Sequence, residues 1–303
     1  MRRGGYQSME YLLEMLKWIQ SIRNPVLDQV FTSITVLGED YFAIAILCLI
    51  LWCVSKKSGY VIGFAYLTSW IFNFSLKEAF KIPRPFVLDK SIIPIRPETA
   101  TGYSFPSGHT QGISALSTAA ASAFRRRWIY AAGIILVILM AMSRLYLGVH
   151  TLLDVAVGAV AGFAWVYAAN FVFSYAERTN RKALLLILFI PMLLGMILVR
   201  THDYYKIAGT FSSFIIGYLL DSRYIHYEAK GLIWQQVIKF ILGMTILIAL
   251  KIIVKEVLGE TLTSDYIRYL SIGFWITVAA PLLFNKMFAA KPYDTADKVN
   301  SQI

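Results

Sequence analysis

Charge is scarce in this chain. Of its 303 residues only 16% are Asp, Glu, Lys or Arg, where a soluble domain carries about a quarter. Apolar residues make up 57%, and the mean hydropathy is +0.59. That argues against one or two ordinary globular domains, because so much apolar surface has to face hydrocarbon. Acidic residues are scarcer still, 18 against 29 Lys and Arg, for a net charge of +11. The positive excess is no nucleic-acid footprint: the sequence has no basic stripe, zinc-finger spacing or aromatic RNA-binding signature. The two cysteines, Cys48 and Cys53, lie on different faces of one helical run, which argues against a disulfide between them. No cluster of carboxylates is available to hold a metal. No apolar core with a small-residue cleavage site follows Arg2 and Arg3, so no signal peptide is expected. Internal repeats and low-complexity segments are also lacking.

What is present reads as an all-α, polytopic membrane bundle. Residues 10–22 place Leu12, Met15, Leu16, Ile19 and Ile22 on one helical face, the pattern of a helix lying in the interface. Asn24-Pro25 is a cap-and-first-turn pair for a second short helix, 25–37. Nine apolar runs follow, at 41–55, 59–76, 108–124, 128–147, 151–175, 184–200, 207–220, 233–254 and 266–285. About 20 helical residues cross about 30 Å of hydrocarbon, so 41–55 and 207–220 are short for the task. The chain divides into an amphipathic N-terminal part (1–40), a core (41–176) and further spans with a short cytoplasmic tail (177–303).

Basic clusters fall on alternate loops: Lys56-Lys57, Arg125–Arg127, Arg178 with Arg181 and Lys182, Arg223 with Lys230, and Lys286 with Lys291 and Lys298. Cytoplasmic loops carry such an excess. The expected setting is a bacterial plasma membrane, with the other loops on the non-cytoplasmic side.

Three short motifs fall on that opposite side. In 77–85, KEAFKIPRP, Pro83 and Pro85 hold the backbone extended and Lys77 and Arg84 offer two cations. In 103–110, YSFPSGHT, Tyr103, Ser104, Ser107 and His109 can each bond an anion or a proton. Proline and serine suit a helix start, glycine admits close approach to the backbone, and the free N–H groups of a helix N-terminus attract anions. In 143–154, SRLYLGVHTLLD, His150 and Asp154 are spaced to share a helical face, and Arg144 offers a planar fork for phosphate oxygens. A carboxylate that accepts from one imidazole nitrogen leaves the other free as nucleophile or base. Each motif alone also reads blandly, as a snorkelling lysine, an ordinary helix cap or a satisfied His–Asp pair. Their conjunction on one face is the equipment for a phosphoryl group.

The triple pattern Lys77…Arg84-Pro85, Pro106-Ser107-Gly108-His109 and Ser143-Arg144…His150…Asp154 resembles the type 2 phosphatidic acid phosphatase family, which is related to the vanadium haloperoxidases. The resemblance covers about residues 41–176. It implies an integral membrane hydrolase of lipid phosphates or diphosphates, undecaprenyl diphosphate and phosphatidate among them. It implies His150 as nucleophile, Asp154 as its orienting partner and His109 as proton donor and acceptor. Lys77, Arg84, Ser107, Gly108 and Arg144 would hold the phosphate, with no metal and no cofactor. A phosphotransferase, a haloperoxidase and a non-enzymatic lipid-binding or transport protein are the alternatives. Beyond the core, Lys239 reads as a snorkelling lysine or as part of a pathway. Arg200, His202, Asp203 and Lys206 read as a solvated loop or an extension of the headgroup site. The last four spans fit a lid, a dimer contact or a second site.

Overall fold

The computed structural model describes residues 2–288, and the expected tail bearing Lys291 and Lys298 lies outside them. The described residues form helices and no strand. In chain order they are α1 (Arg2–Ser21), α2 (Pro25–Val36), α3 (Asp40–Leu49, continued as a π-turn through Val54), α4 (Lys56–Phe80) and the short α5 (Pro85–Leu88). Then come α6 (Gly108–Phe124), α7 (Arg127–Tyr146), α8 (Leu152–Arg178), α9 (Phe189–Val199, entered by a 3₁₀ stretch from Lys182) and α10 (His202–Leu220, with a π-turn to Ile225). α11 (Ile233–Leu258), α12 (Leu262–Phe274) and α13 (Ala280–Phe288) complete the bundle.

The expected caps form. The Asn24 side chain accepts from the N–H groups of Val26 (3.1 Å) and Leu27 (3.0 Å) and starts α2. Yet α1 and α2 are more than an interfacial arm. Leu16 is fully buried, Asp28 accepts from the Tyr146 hydroxyl at 2.6 Å, and the Ser143 hydroxyl donates to Phe31 O at 2.7 Å. The N-terminal pair therefore docks on the end of α7.

Each of the nine expected spans falls on a helix, but length and hydropathy admit only five as full crossings. They are Arg127–Tyr146, Leu152–Arg178, Lys182–Val199, Ile233–Leu258 and Leu262–Phe288. The pair Pro25–Val36 and Asp40–Val54, bent by 48°, makes a sixth if it is one span. The count of nine is not confirmed by that measure, because α6 is short and α4 and α10 carry polar residues. α6 has 17 residues, and Asn73, Lys77, Gln111, Ser212 and Ser213 are buried on these three helices. Their polar groups turn to protein rather than lipid, as hydrocarbon requires.

Small residues bring the core helices together. Gly158 and Gly162 form a GxxxG step on α8. A Cβ at Gly158 would stand 2.7 Å from Ser107 O, and one at Gly162 would collide with Gln111 O. α8 thus lies directly against the start of α6. α10 packs along α12 and against α4, and one apolar core joins Trp52, Phe64, Phe173, Phe211, Phe214 and Phe284. Residues 41–176 and 177–288 share that core.

The two ends of the bundle differ. At one, Lys56 pairs with Asp221 (3.0 Å), Lys182 with Glu177 (3.2 Å), and Asn285 donates to Ile225 O (3.2 Å). Lys239 is buried near this end, its ammonium over the rings of Tyr227 and Phe288. The other end gathers the three motifs.

Candidate functional site

Backbone contacts lock the motifs to one another. Ser104 N donates to Ile82 O (2.8 Å), which ties the second motif to the first. Ser107 N donates to Asp154 O (2.9 Å), which ties the second to the third. From α4, Asn73 donates to Gln111 Oε1 (2.8 Å) and to Pro106 O (3.4 Å), while Gln111 donates to Ser69 O (2.9 Å). α6 begins at Gly108 with Ser107 as its N-cap. A Cβ on Gly108 would lie 2.9 Å from the Trp70 ring and 3.3 Å from Asn73 Oδ1, so this position has no room for a side chain. Gly108 and His109, the first two residues of α6, line the site, where a helix N-terminus attracts anions.

His150 lies in the turn between α7 and α8, ahead of the Thr151 cap, so it does not share a helix with Asp154. Asp154 is the third residue of α8 and forms a capping box: its Oδ2 accepts from Thr151 N at 2.7 Å. His150 Nδ1 stands 3.5 Å from Asp154 Oδ2 but 3.3 Å from the Ser104 hydroxyl, which itself donates to Asp154 Oδ2 at 2.6 Å. On the other edge of the ring, Arg84 Nη1 lies 3.1 Å from Nε2. A guanidinium only donates, so Nε2 is the lone-pair nitrogen and Nδ1 carries the proton. Burial, then the Arg84, Lys77 and Arg144 cations, hold the His150 imidazole well below its usual pKa. It is neutral at physiological pH.

The cations are held just as firmly. Arg84 donates to the carbonyls of Gly102 (3.1 Å), Val149 (3.1 Å) and Thr101 (2.6 Å). Burial draws its pKa down to about 10, which leaves it charged. Lys77 donates to Tyr103 O and Ser104 O. Arg144 is fully buried, with Nη1 on Thr35 Oγ1 at 2.6 Å. Among the described residues, Arg144 Nε and Nη2 and His109 Nε2 are buried without a partner. Unsatisfied buried donors at a cationic site are what an oxyanion would satisfy.

A cavity of about 440 Å³ opens here, lined by Lys77, Arg84, Gly108, His109 and His150 on one side. The structure thus gathers all eight residues expected at the site, with different access. Ser107, Arg144 and Asp154 stand behind the cavity wall. The Ser107 hydroxyl is engaged in its cap with Thr110. Sequence reasoning assigned no role to Ser104, Asn73 or Gln111. Ser104 was legible only as a hydroxyl in the central motif; its partners are set by packing. Of the residues read above as a solvated loop or an extension of the headgroup site, Asp203 and Lys206 line the cavity with Lys251 and Tyr269. Arg200 and His202 do not, and His202 bonds Asp265 instead. No group of three or more possible metal ligands occurs among the described residues. The donors present are cations and N–H groups, suited to an anion.

Known proteins share these features. Residues 58–178 match the PAP2 superfamily, and residues 205–292 match the PAP2 superfamily phosphatase, transmembrane extension. An undecaprenyl-diphosphatase from Sulfolobus acidocaldarius is 29% identical over 172 residues, 54% of this chain and 78% of that protein. LpxE of Aquifex aeolicus, known from a crystal structure, is 30% identical, with 52% of this chain and 94% of that one covered and a TM-score of 0.48. A transmembrane PAP2 type phosphatidylglycerolphosphate phosphatase from Bacillus subtilis is 24% identical, with 59% and 90% covered and a TM-score of 0.49. The core match takes in all three motifs, the extension match takes in most of the far cavity wall, and the chain belongs to the PAP2 superfamily of membrane phosphatases.

Proposed function

We propose that this membrane lipid phosphatase passes the phosphoryl group of a lipid phosphate or diphosphate to His150 and then to water, without a metal. One observation carries the reading: the lone-pair Nε2 of a neutral, buried His150 faces Arg84 at 3.1 Å on the wall of the cavity. A phosphate placed there meets nucleophile and cation together.

Nε2 bonds to phosphorus as the bond from phosphorus to the leaving lipid oxygen breaks, and His109 gives that oxygen its proton. Water then attacks the phosphohistidine and His109 takes the water's proton. The P–N bond breaks, which restores neutral His150 and frees inorganic phosphate. Asp154, through Ser104, holds the ring. Lys77, Arg84, Arg144 and the N–H of Gly108, at the helix start that Ser107 caps, offset the charge on the phosphoryl oxygens, the work that a metal does in other phosphoryl-transfer sites.

The site lies at the end opposite the basic loops. By the charge bias of cytoplasmic loops it faces the non-cytoplasmic side of a bacterial plasma membrane. The undecaprenyl-diphosphatase relative supports an isoprenyl diphosphate as substrate; phosphatidate, phosphatidylglycerol phosphate and sphingoid phosphates present the same group. The test is phosphate release by purified protein from these four lipids with EDTA present, beside His150→Ala. Release that survives EDTA and disappears in the variant is expected. Release that needs a divalent cation, or that survives the substitution, contradicts the mechanism.

A further inference from the structure

The cavity has a second wall that the phosphatase motifs do not supply. Beyond the motif residues it is lined by Asp203, Lys206 and Thr210 of α10, Lys251 of α11, Tyr269 of α12 and Asp40, the first residue of α3. Three of these elements, α10, α11 and α12, lie outside the motif-bearing core and fall largely within the transmembrane extension. This wall is ordered from within. Asp203 accepts from Thr101 Oγ1 (2.7 Å) and pairs with Lys206 (2.8 Å). The Lys251 ammonium rests 3.7 Å from the centre of the Tyr41 ring and 5.9 Å from that of Tyr269. Among the described residues neither Lys251 nor Asp40 has an ion-pair partner, although both face the cavity.

The charge balance says what this wall suits. A second phosphate would call for net positive charge. Instead Glu39, Asp40, Glu98 and Asp203 line the cavity beside Lys206 and Lys251, Glu39 and Glu98 being paired with Arg96 (2.8 and 3.4 Å), so carboxylates and cations nearly balance. Alternating carboxylate acceptors and ammonium donors match hydroxyl groups, which both give and take hydrogen bonds. The rings of Tyr41, Tyr66, Trp70 and Tyr269 line the same space and supply apolar faces for the C–H side of a polyol.

We propose that the transmembrane extension is a selectivity wall: with Asp40 it binds hydroxyl groups of the headgroup beside the scissile phosphate, and it favours lipid phosphates that carry them. The proposal rests on the phosphatase reading above and narrows its substrate class. A hydroxyl that bonds a charged side chain gains a hydrogen bond that the analogue lacking it forgoes, which favours the hydroxylated headgroup.

The test uses the full-length protein and a matched pair, phosphatidylglycerol phosphate and its deoxy analogue with hydrogen in place of the headgroup hydroxyl. The expected wild-type ratio of kcat/KM is at least about tenfold in favour of the hydroxylated lipid, one charged hydrogen bond's worth. In Asp40→Asn and in Lys251→Gln the ratio falls to within about threefold of one. The ratio is internal to each preparation, so partial misfolding cancels. A wild-type ratio near one, or a ratio that both variants retain, overturns the selectivity wall while the phosphatase stands. No phosphate from either lipid, from phosphatidate or from undecaprenyl diphosphate removes the phosphatase reading itself and the proposal with it; phosphate from undecaprenyl diphosphate alone overturns the selectivity wall while the phosphatase stands.

Discussion

The Ser104 hydroxyl stands between His150 and Asp154: it donates to Asp154 Oδ2 at 2.6 Å and lies 3.3 Å from His150 Nδ1. Asp154 therefore acts on the imidazole chiefly through Ser104, its own oxygen being 3.5 Å from the ring. Ser104→Ala leaves Nδ1–H without its nearest acceptor and frees the ring to turn. We expect kcat to fall about tenfold, the effect of one hydrogen bond to a group that gains charge in the reaction, with KM little changed. Ser104→Thr restores the hydroxyl and most of the rate. An alanine variant with full kcat would show that Asp154 orients the ring unaided.

The pH profile reads the field around His150. The mechanism needs this imidazole neutral. Burial and the Arg84, Lys77 and Arg144 cations hold its pKa well below 6.5, so the limb of kcat/KM that reports His150 lies below pH 6.5 in the wild type. A cation lowers the pKa of a neighbouring base, so its removal raises it. Arg84→Gln accordingly moves that acid limb to higher pH, besides lowering kcat/KM through the lost phosphate contact. An unmoved limb assigns it to another group, the substrate phosphate for example.

Close helix packing sets the geometry of all three motifs. A side chain at Gly162 of α8 collides with Gln111 O, and one at Gly158 stands 2.7 Å from Ser107 O. Gly158→Ala or Gly162→Ala must push α8 from α6 and carry Asp154 away from the Ser107 N–H that its carbonyl holds. We expect a cost of about 1–3 kcal/mol, read as a lower unfolding midpoint in detergent, and at least about tenfold lower kcat/KM. Wild-type values for both substitutions would show that the two helices can separate without disturbing the site.

Much of this was legible in the sequence, and the parts that were not share a cause. Helices announce themselves by local pattern: apolar periodicity placed every span, and Asn24-Pro25 gave the start of α2. The motif residues were legible because their spacing carries chemistry. Three features depend instead on contacts between distant segments. Ser104 finds Asp154 only because the second and third motifs are bonded backbone to backbone. His150 was expected to share a helix with Asp154, but Thr151 caps α8 between them. Asp203 and Lys206 read equally as loop charge or headgroup site because no local pattern reveals that α10 packs against α4 and that both residues line the cavity. Length and hydropathy confirm five or six of the nine expected crossings, since helices shielded by other helices need not be as apolar as those that meet lipid.

The most direct measurement is to trap the intermediate. Enzyme mixed with a lipid substrate labelled in its phosphoryl group would be quenched into base within one turnover, since phosphohistidine is lost in acid, and its peptides weighed. The mechanism predicts one phosphoryl group on His150, absent in His150→Ala and, in His109→Ala, slower both to form and to be lost, because His109 serves both steps. Rapid phosphate release with no phosphoryl group on His150 at any time would contradict it and point to direct attack by water.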